Sequence, residues 1–298
     1  MKNILKNLGI SFIHIFVFFV LQIVMSMIFM VIGCINELMK HSSIIEQTIS
    51  SNSENTINEL TNITNEILMS PNVLSMVIYA LLFSSILNIL YFLIIFKMKK
   101  ENPIKKVSNI DIVKYLGFGV LFNLMISCIL HVIADIIPSS ANSELEAMTS
   151  TIMSGNFFVV LLSVGILGPI VEELVFRYGI FKQLEKTNYI FAIIISSFLF
   201  GIMHMNLVQS TYAMLLGILF AFVYHKTNNL IYPILLHVGI NSSSVIASKL
   251  FSSDWVGLGV CVSISLIAIL VVVLFEMKSK KKQKNIKILK TKELEERI

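Results

Sequence analysis

The chain has 298 residues, of which 56% are hydrophobic and only 14% charged, and its mean hydropathy is +0.83. A soluble domain carries roughly a quarter charged residues, so the deficit excludes an ordinary soluble enzyme; with apolar runs of about twenty residues it defines an all-α polytopic membrane protein. The net charge of +5 is no nucleic-acid footprint, because the basic residues gather at helix ends and in the C-terminal tail. The scattered Cys34, Cys128 and Cys261 suggest neither a disulfide framework nor a CxxC metal site.

Lys2 and Lys6 precede an apolar run over 8–33 whose main interruption is His14. That run is too long for a signal-peptide core and has no small-residue cleavage site, so it reads as an uncleaved first span. Residues 35–73 are polar and rich in Ser, Asn and Thr, which predicts a solvated extracellular loop. Ile57, Leu60, Ile63 and Ile67 recur there at helical spacing and mark a weak amphipathic helix. Further spans are expected at about 74–96, 114–137, 156–178, 189–207, 210–226, 229–250 and 256–277, about eight transmembrane helices in all. A basic loop runs from Lys97 to Lys106, and the tail over 278–298 carries Lys280, Lys281, Lys282, Lys284 and Lys287. With both termini cytoplasmic, only Lys40 and Lys249 of the 23 lysines and arginines fall in outer loops, as the positive-inside bias requires. The tail reads as a cytoplasmic extension that meets lipid headgroups.

Ionisable residues inside spans are costly and mark function. Glu172 and Glu173 point about 100° apart on a helix, so they cannot share one role. Glu173 and Arg177 stand at i,i+4 and can pair, which turns Glu172 towards another helix. If the chain turns near Asn188, Glu172 and His204 lie at equal offsets on either side and face each other across an antiparallel hairpin. His237 and Asn241, again at i,i+4, put an imidazole and an amide on one helix face. Pro169 and Pro233 loosen the backbone nearby. Interhelical packing by these groups is the plainer alternative. His131 and Asp135 read as a structural pair, His14 as a packing residue and His225 as interfacial. The Ser242-Ser243-Ser244 trio could offer a nucleophile, although serines in membrane helices mostly bond backbone.

A carboxylate, two imidazoles and an amide in an apolar shell suit hydrolysis. The carboxylate can take a proton from water, His204 can share that proton or orient the water, and His237 and Asn241 can donate to an oxyanion. Glu and His could instead hold zinc, although the HExxH pattern is absent. A catalytically silent membrane partner and a proton-coupled transporter are readings of other classes; the transporter should show an inverted repeat, which the sequence lacks by eye.

Glu172-Glu173…Arg177, Phe200…His204 and His237…Asn241 follow one another as EExxxR, FxxxH and HxxxN, and in this the sequence resembles the CAAX-protease and bacteriocin-processing (CPBP, or Abi) family of intramembrane glutamic endopeptidases. The resemblance covers about residues 156–247. It implies a catalytic core over 156–247, preceded by an N-terminal transmembrane region over 1–155 and followed by a last helix within 248–277. It implies Glu172 as general base, His204 as its helper in activating water, His237 and Asn241 as the oxyanion hole, and Glu173 and Arg177 as supporting residues, with no required cofactor. The expected partner is a membrane-associated peptide or protein substrate in the lipid bilayer. The Lys-, Asn- and Ile-rich composition points to a low-GC bacterium, where peptide or bacteriocin processing or immunity fits better than prenylated substrates.

Overall fold

The computed structural model describes residues 2–51, 55–132, 139–251, 255–257, 259–271, 273–274 and 277. Among them there are helices and connecting turns but no strand. In chain order these are α1 (Lys2–Ser51), α2 (Thr56–Leu68), α3 (Pro71–Lys99), α4 (Asn109–Val132), α5 (Ser139–Met153), α6 (Phe157–Glu185), α7 (Tyr189–Ile202), α8 (Leu207–Thr227), α9 (Ile231–Leu250) and α10 (Trp255–Val271). Six helical stretches are long and apolar enough to cross a membrane, and α7 and α10 are shorter apolar helices. Among the described residues six of the eight expected spans coincide with these long helices and the other two with the shorter α7 and α10, and the chain is a multi-pass membrane protein. Large apolar side chains such as Phe12, Val31 and Ile94 remain more than half exposed, as a lipid-facing surface requires.

The stretch 35–73, expected to be mostly loop, is largely helical. α1 runs on to Ser51, α2 covers Thr56–Leu68 and α3 begins at Pro71. Between Gly33 and Pro71 the sequence contains neither glycine nor proline, so nothing stops the helix despite its polarity. At about 1.5 Å per residue α1 is about 75 Å long, more than twice a bilayer core of about 30 Å. Ser70 caps α3 through Val73 N, and Pro71 occupies the first helical position, where its missing N–H is harmless. Glu37 ties α1 to α3, accepting from Lys40 Nζ at 2.6 Å and Asn72 Nδ2 at 2.7 Å. α5 is an element that hydropathy did not announce: a polar fifteen-residue helix outside the apolar runs.

α6 is the hub. From Leu174 to Phe181 every residue is buried, and α1, α3, α7 and α9 all pack on it. Gly179 lets α1 approach closely: a Cβ there would lie 3.1 Å from His14 Cβ. α4 and α9 cross where Gly119 meets Gly239, each leaving no room for a Cβ against the other's backbone. At one end of the bundle the 101–108 loop clasps the α8–α9 turn. Asn229 accepts from Lys105 N at 2.9 Å and donates to Lys105 O at 3.1 Å, while Leu230 N donates to Pro103 O at 2.9 Å. His14 is a packing residue as expected, buried against Phe92 with Nδ1 2.9 Å from Tyr91 Oη. His225, at the end of α8, pairs with Glu185 and stacks on Tyr189. The expected His131–Asp135 pair and the basic tail lie outside the described residues, although His131 itself stands edge-on to Trp255.

Candidate active site

α6 is not a uniform α-helix. π-helical stretches over Leu161–Leu167 and Leu174–Phe181 flank an α-helical segment, Gly168–Glu173, which carries both glutamates. Pro169 explains part of this. It has no N–H to offer a carbonyl four or five residues back, so Gly165 O and Val164 O need other donors. They find them on α9: Ser242 Oγ donates to Gly165 O at 3.0 Å and Asn241 Nδ2 donates to Val164 O at 3.2 Å. A defect in one helix thus orients two side chains on another. Ser243 Oγ donates to Ile240 O, so two hydroxyls of the serine trio are committed to backbone.

The two adjacent glutamates part company as their 100° separation demands. Glu173 is sealed, with 0% exposure, and its Oε2 lies 3.0 Å from Arg177 Nε, also at 0%. That contact is an ion pair without hydrogen-bond alignment, and the guanidinium lies over Phe200 at 4.9 Å and Phe220 at 5.5 Å. Such cation–π stacking compensates a buried cation that lacks aligned acceptors. Glu173 Oε1 takes a second partner, His237 Nδ1, at 3.0 Å. Glu172 keeps 20% of its side chain exposed, facing a cavity of about 450 Å³.

Glu172, His204, His237 and Asn241 all line that cavity. His237 lies between the carboxylates, its Nε2 3.5 Å from Glu172 Oε2. The ring stacks on Phe220 with centroids 4.7 Å apart. His204 lies in the turn after α7, two residues past the helix end, rather than within a span reaching 207. The turn before α7 is where it was expected: Asn188 caps the helix through Phe191 N. His204 Nδ1 is 2.8 Å from Phe200 O, which can only accept, so this nitrogen carries a proton, and it is Nε2 that bears the lone pair whenever the ring is neutral. Met205, immediately after it, has φ 52°, a left-handed conformation that turns the chain into α8, where Asn206 caps through Val208 N and Gln209 N.

The cavity has further polar lining that the motif residues did not foreshadow: Gln209 and Tyr212 on α8, Asn88 on α3 and Asn123 on α4. Each is a polar residue inside an apolar run, the same signal that singled out His204. α5 adds Met148 and Ile152. Among the described residues no three His, Cys, Asp or Glu side chains converge as a metal-ligand set, and both ring nitrogens of His237 are turned to carboxylates. The donor geometry therefore gives no support to the zinc reading.

The fold and site define a polytopic α-helical membrane protein whose bundle encloses a carboxylate, two imidazoles and an amide. Residues 154–243, which contain all six singled-out positions, match the family described as type II CAAX prenyl endopeptidase Rce1-like. Over 102 residues the chain is 39% identical to the Bacillus subtilis (strain 168) protein named "Putative membrane peptidase YdiL", a match covering 34% of this chain and 41% of that protein. The chain thus spans well under half the length of this curated relative. No solved structure matches.

Proposed function

We propose that the protein is an intramembrane endopeptidase that hydrolyses peptide bonds of membrane-associated proteins or peptides, with Glu172 as general base. The observation that carries this reading is the division of labour between adjacent carboxylates: Glu173 is sealed by Arg177 and His237, while Glu172 shares the cavity with His204 and Asn241. A water between Glu172 and His204 Nε2 would give its proton to Glu172 as its oxygen attacks the scissile carbonyl. The tetrahedral oxyanion would take hydrogen bonds from the second Asn241 N–H and from His237 Nε2–H, each worth about 3–4 kcal/mol in comparable sites. Donation from Nε2 requires the imidazolium, because Nδ1 already donates its N–H to the Glu173 carboxylate. The two glutamates and Arg177 together leave one negative charge to balance it. Glu172 then returns the proton to the leaving nitrogen as its bond to carbon breaks, and the products are a carboxylic acid and an amine, the acid's proton passing to the amine so that they leave as carboxylate and ammonium.

Peptide or bacteriocin processing or immunity is the setting that the resemblance implies. The test compares membrane and secreted peptides from cells carrying wild-type protein, Glu172→Ala and His204→Ala at matched expression. Both variants should lose the same cleavage product; an unchanged peptide profile in both would overturn the hydrolytic reading.

A further inference from the structure

Asn88 and Asn123 lie outside the family-matched segment yet line the same cavity. Asn88 Nδ2 is 2.9 Å from Ser84 O. A carbonyl only accepts, so the amide orientation is fixed by this partner and Oδ1 is the atom left over. Asn88 is only 1% exposed, and its Oδ1 has no hydrogen-bond partner among the described residues. A membrane helix whose only need was packing would place an apolar side chain here. Asn123 is wired alike. Its Nδ2 donates to Ser243 Oγ at 2.9 Å, whose own proton goes to Ile240 O at 2.9 Å, so Asn123 Oδ1 is again the remaining acceptor.

We propose that Asn88 and Asn123 form a peptide-backbone subsite whose amide oxygens accept N–H groups of an extended substrate segment. The chemistry is complementary to the other side of the site. Asn241 and His237 offer donors, which suit a substrate carbonyl; α3 and α4 offer acceptors, which suit substrate N–H groups. In a membrane helix every backbone N–H is already bonded within the helix. Only a locally unwound segment brings free N–H groups into the cavity, and without acceptors there it would leave them unpaired. The subsite therefore selects an unwound, extended stretch of peptide by its backbone, over an intact helix or a lipid tail. This inference rests on the hydrolase reading for the bond that is attacked, but not for binding.

The test uses full-length protein in detergent micelles and a labelled library of apolar peptides about twenty residues long. Binding is read by fluorescence anisotropy on Glu172→Gln and cleavage by mass spectrometry on the otherwise wild-type protein. For the best-bound peptide, each backbone amide is replaced in turn by an ester, which removes one N–H. One or two ester positions should weaken binding about tenfold, the effect of one lost hydrogen bond in a dry site. Added to Glu172→Gln, Asn88→Leu should weaken the parent peptide by the same factor and abolish the ester effect at one of those positions. The ester scan alone carries the test if Asn88→Leu fails to fold. Equal binding of all esters and of Asn88→Leu would overturn the subsite, leaving Asn88 a water-held packing residue. Asn88-dependent binding without any wild-type cleavage would keep the subsite and overturn the hydrolase.

Discussion

Replacing Arg177 by Met tests the sealed half of the site. The change keeps an unbranched side chain of similar length but deletes the cation that lies 3.0 Å from Glu173, with both groups at 0% exposure. Breaking a buried pair by removing one partner costs about 3–5 kcal/mol, a large part of a total stability of about 5–15 kcal/mol. The lost stacking on Phe200 and Phe220 belongs to the same figure and is not added to it. Detergent-solubilised Arg177→Met should therefore unfold at clearly lower temperature or SDS fraction than wild type, followed by circular dichroism. The double variant Arg177→Met/Glu173→Leu removes both charges and should recover most of the stability, because an apolar replacement of a buried pair is often neutral or better. It should not recover hydrolysis, since His237 Nδ1 then has no carboxylate 3.0 Å away to hold the ring. A loss below about 1 kcal/mol in the single variant would refute this reasoning, because an exposed pair behaves that way. Restored hydrolysis in the double variant would refute it as well.

Gly119→Ala should lower the unfolding midpoint by the equivalent of about 1–3 kcal/mol, an overpacking cost. Its Cβ would stand 2.9 Å from Gly239 Cα and overlap Leu236 O, and hydrolysis should fall too, since Gly239 lies between His237 and Asn241. Met205→Gly should leave stability unchanged or raise it by about 1 kcal/mol, while Met205→Ile should lower both stability and activity, because φ 52° suits glycine and opposes a β-branched side chain. Glu101 supplies a pH test at the edge of the bundle. Burial pushes its carboxyl up, but hydrogen bonds from Tyr178 and Lys182 and the charges of Lys182 and Lys99 prevail and hold it below its ordinary 4.5. Its contribution to stability is thus complete above pH 4.5 and is lost as pH falls through the lower folded value. Unfolding midpoints measured across that acid range should fall less steeply for Glu101→Gln than for wild type.

Much of the site was legible because membrane spans make polar residues conspicuous. The separation of Glu172 from Glu173 follows from helix geometry alone, and the chain turns at Asn188 as the hairpin argument requires, with Glu172 and His204 both lining the cavity. What stayed hidden was partnership. Spacing puts His237 and Asn241 on one face, but it does not reveal that His237 bridges both carboxylates or that Asn241 gives one N–H to Val164 O. Asn88 and Asn123 carry no motif; each is a polar residue in an apolar run, and their convergence on one cavity adds what that signal lacks. The helical continuation to Ser51 is hidden for a different reason: the polarity of 35–51 suggests a loop, whereas the absence of Gly and Pro over that stretch is the better guide.

Pro169 ties the site to the order in which the protein is made. Membrane insertion proceeds from the N-terminus, so Glu172 and His204 enter the bilayer before His237 and Asn241 exist to join them. Until α9 docks, the carbonyls of Val164 and Gly165 lack the partners that Asn241 and Ser242 later supply. The same docking that heals α6 also brings His237 and Asn241 to the cavity. A half-inserted chain therefore holds a carboxylate and an imidazole without the second histidine and the amide that complete the cavity lining in the finished fold.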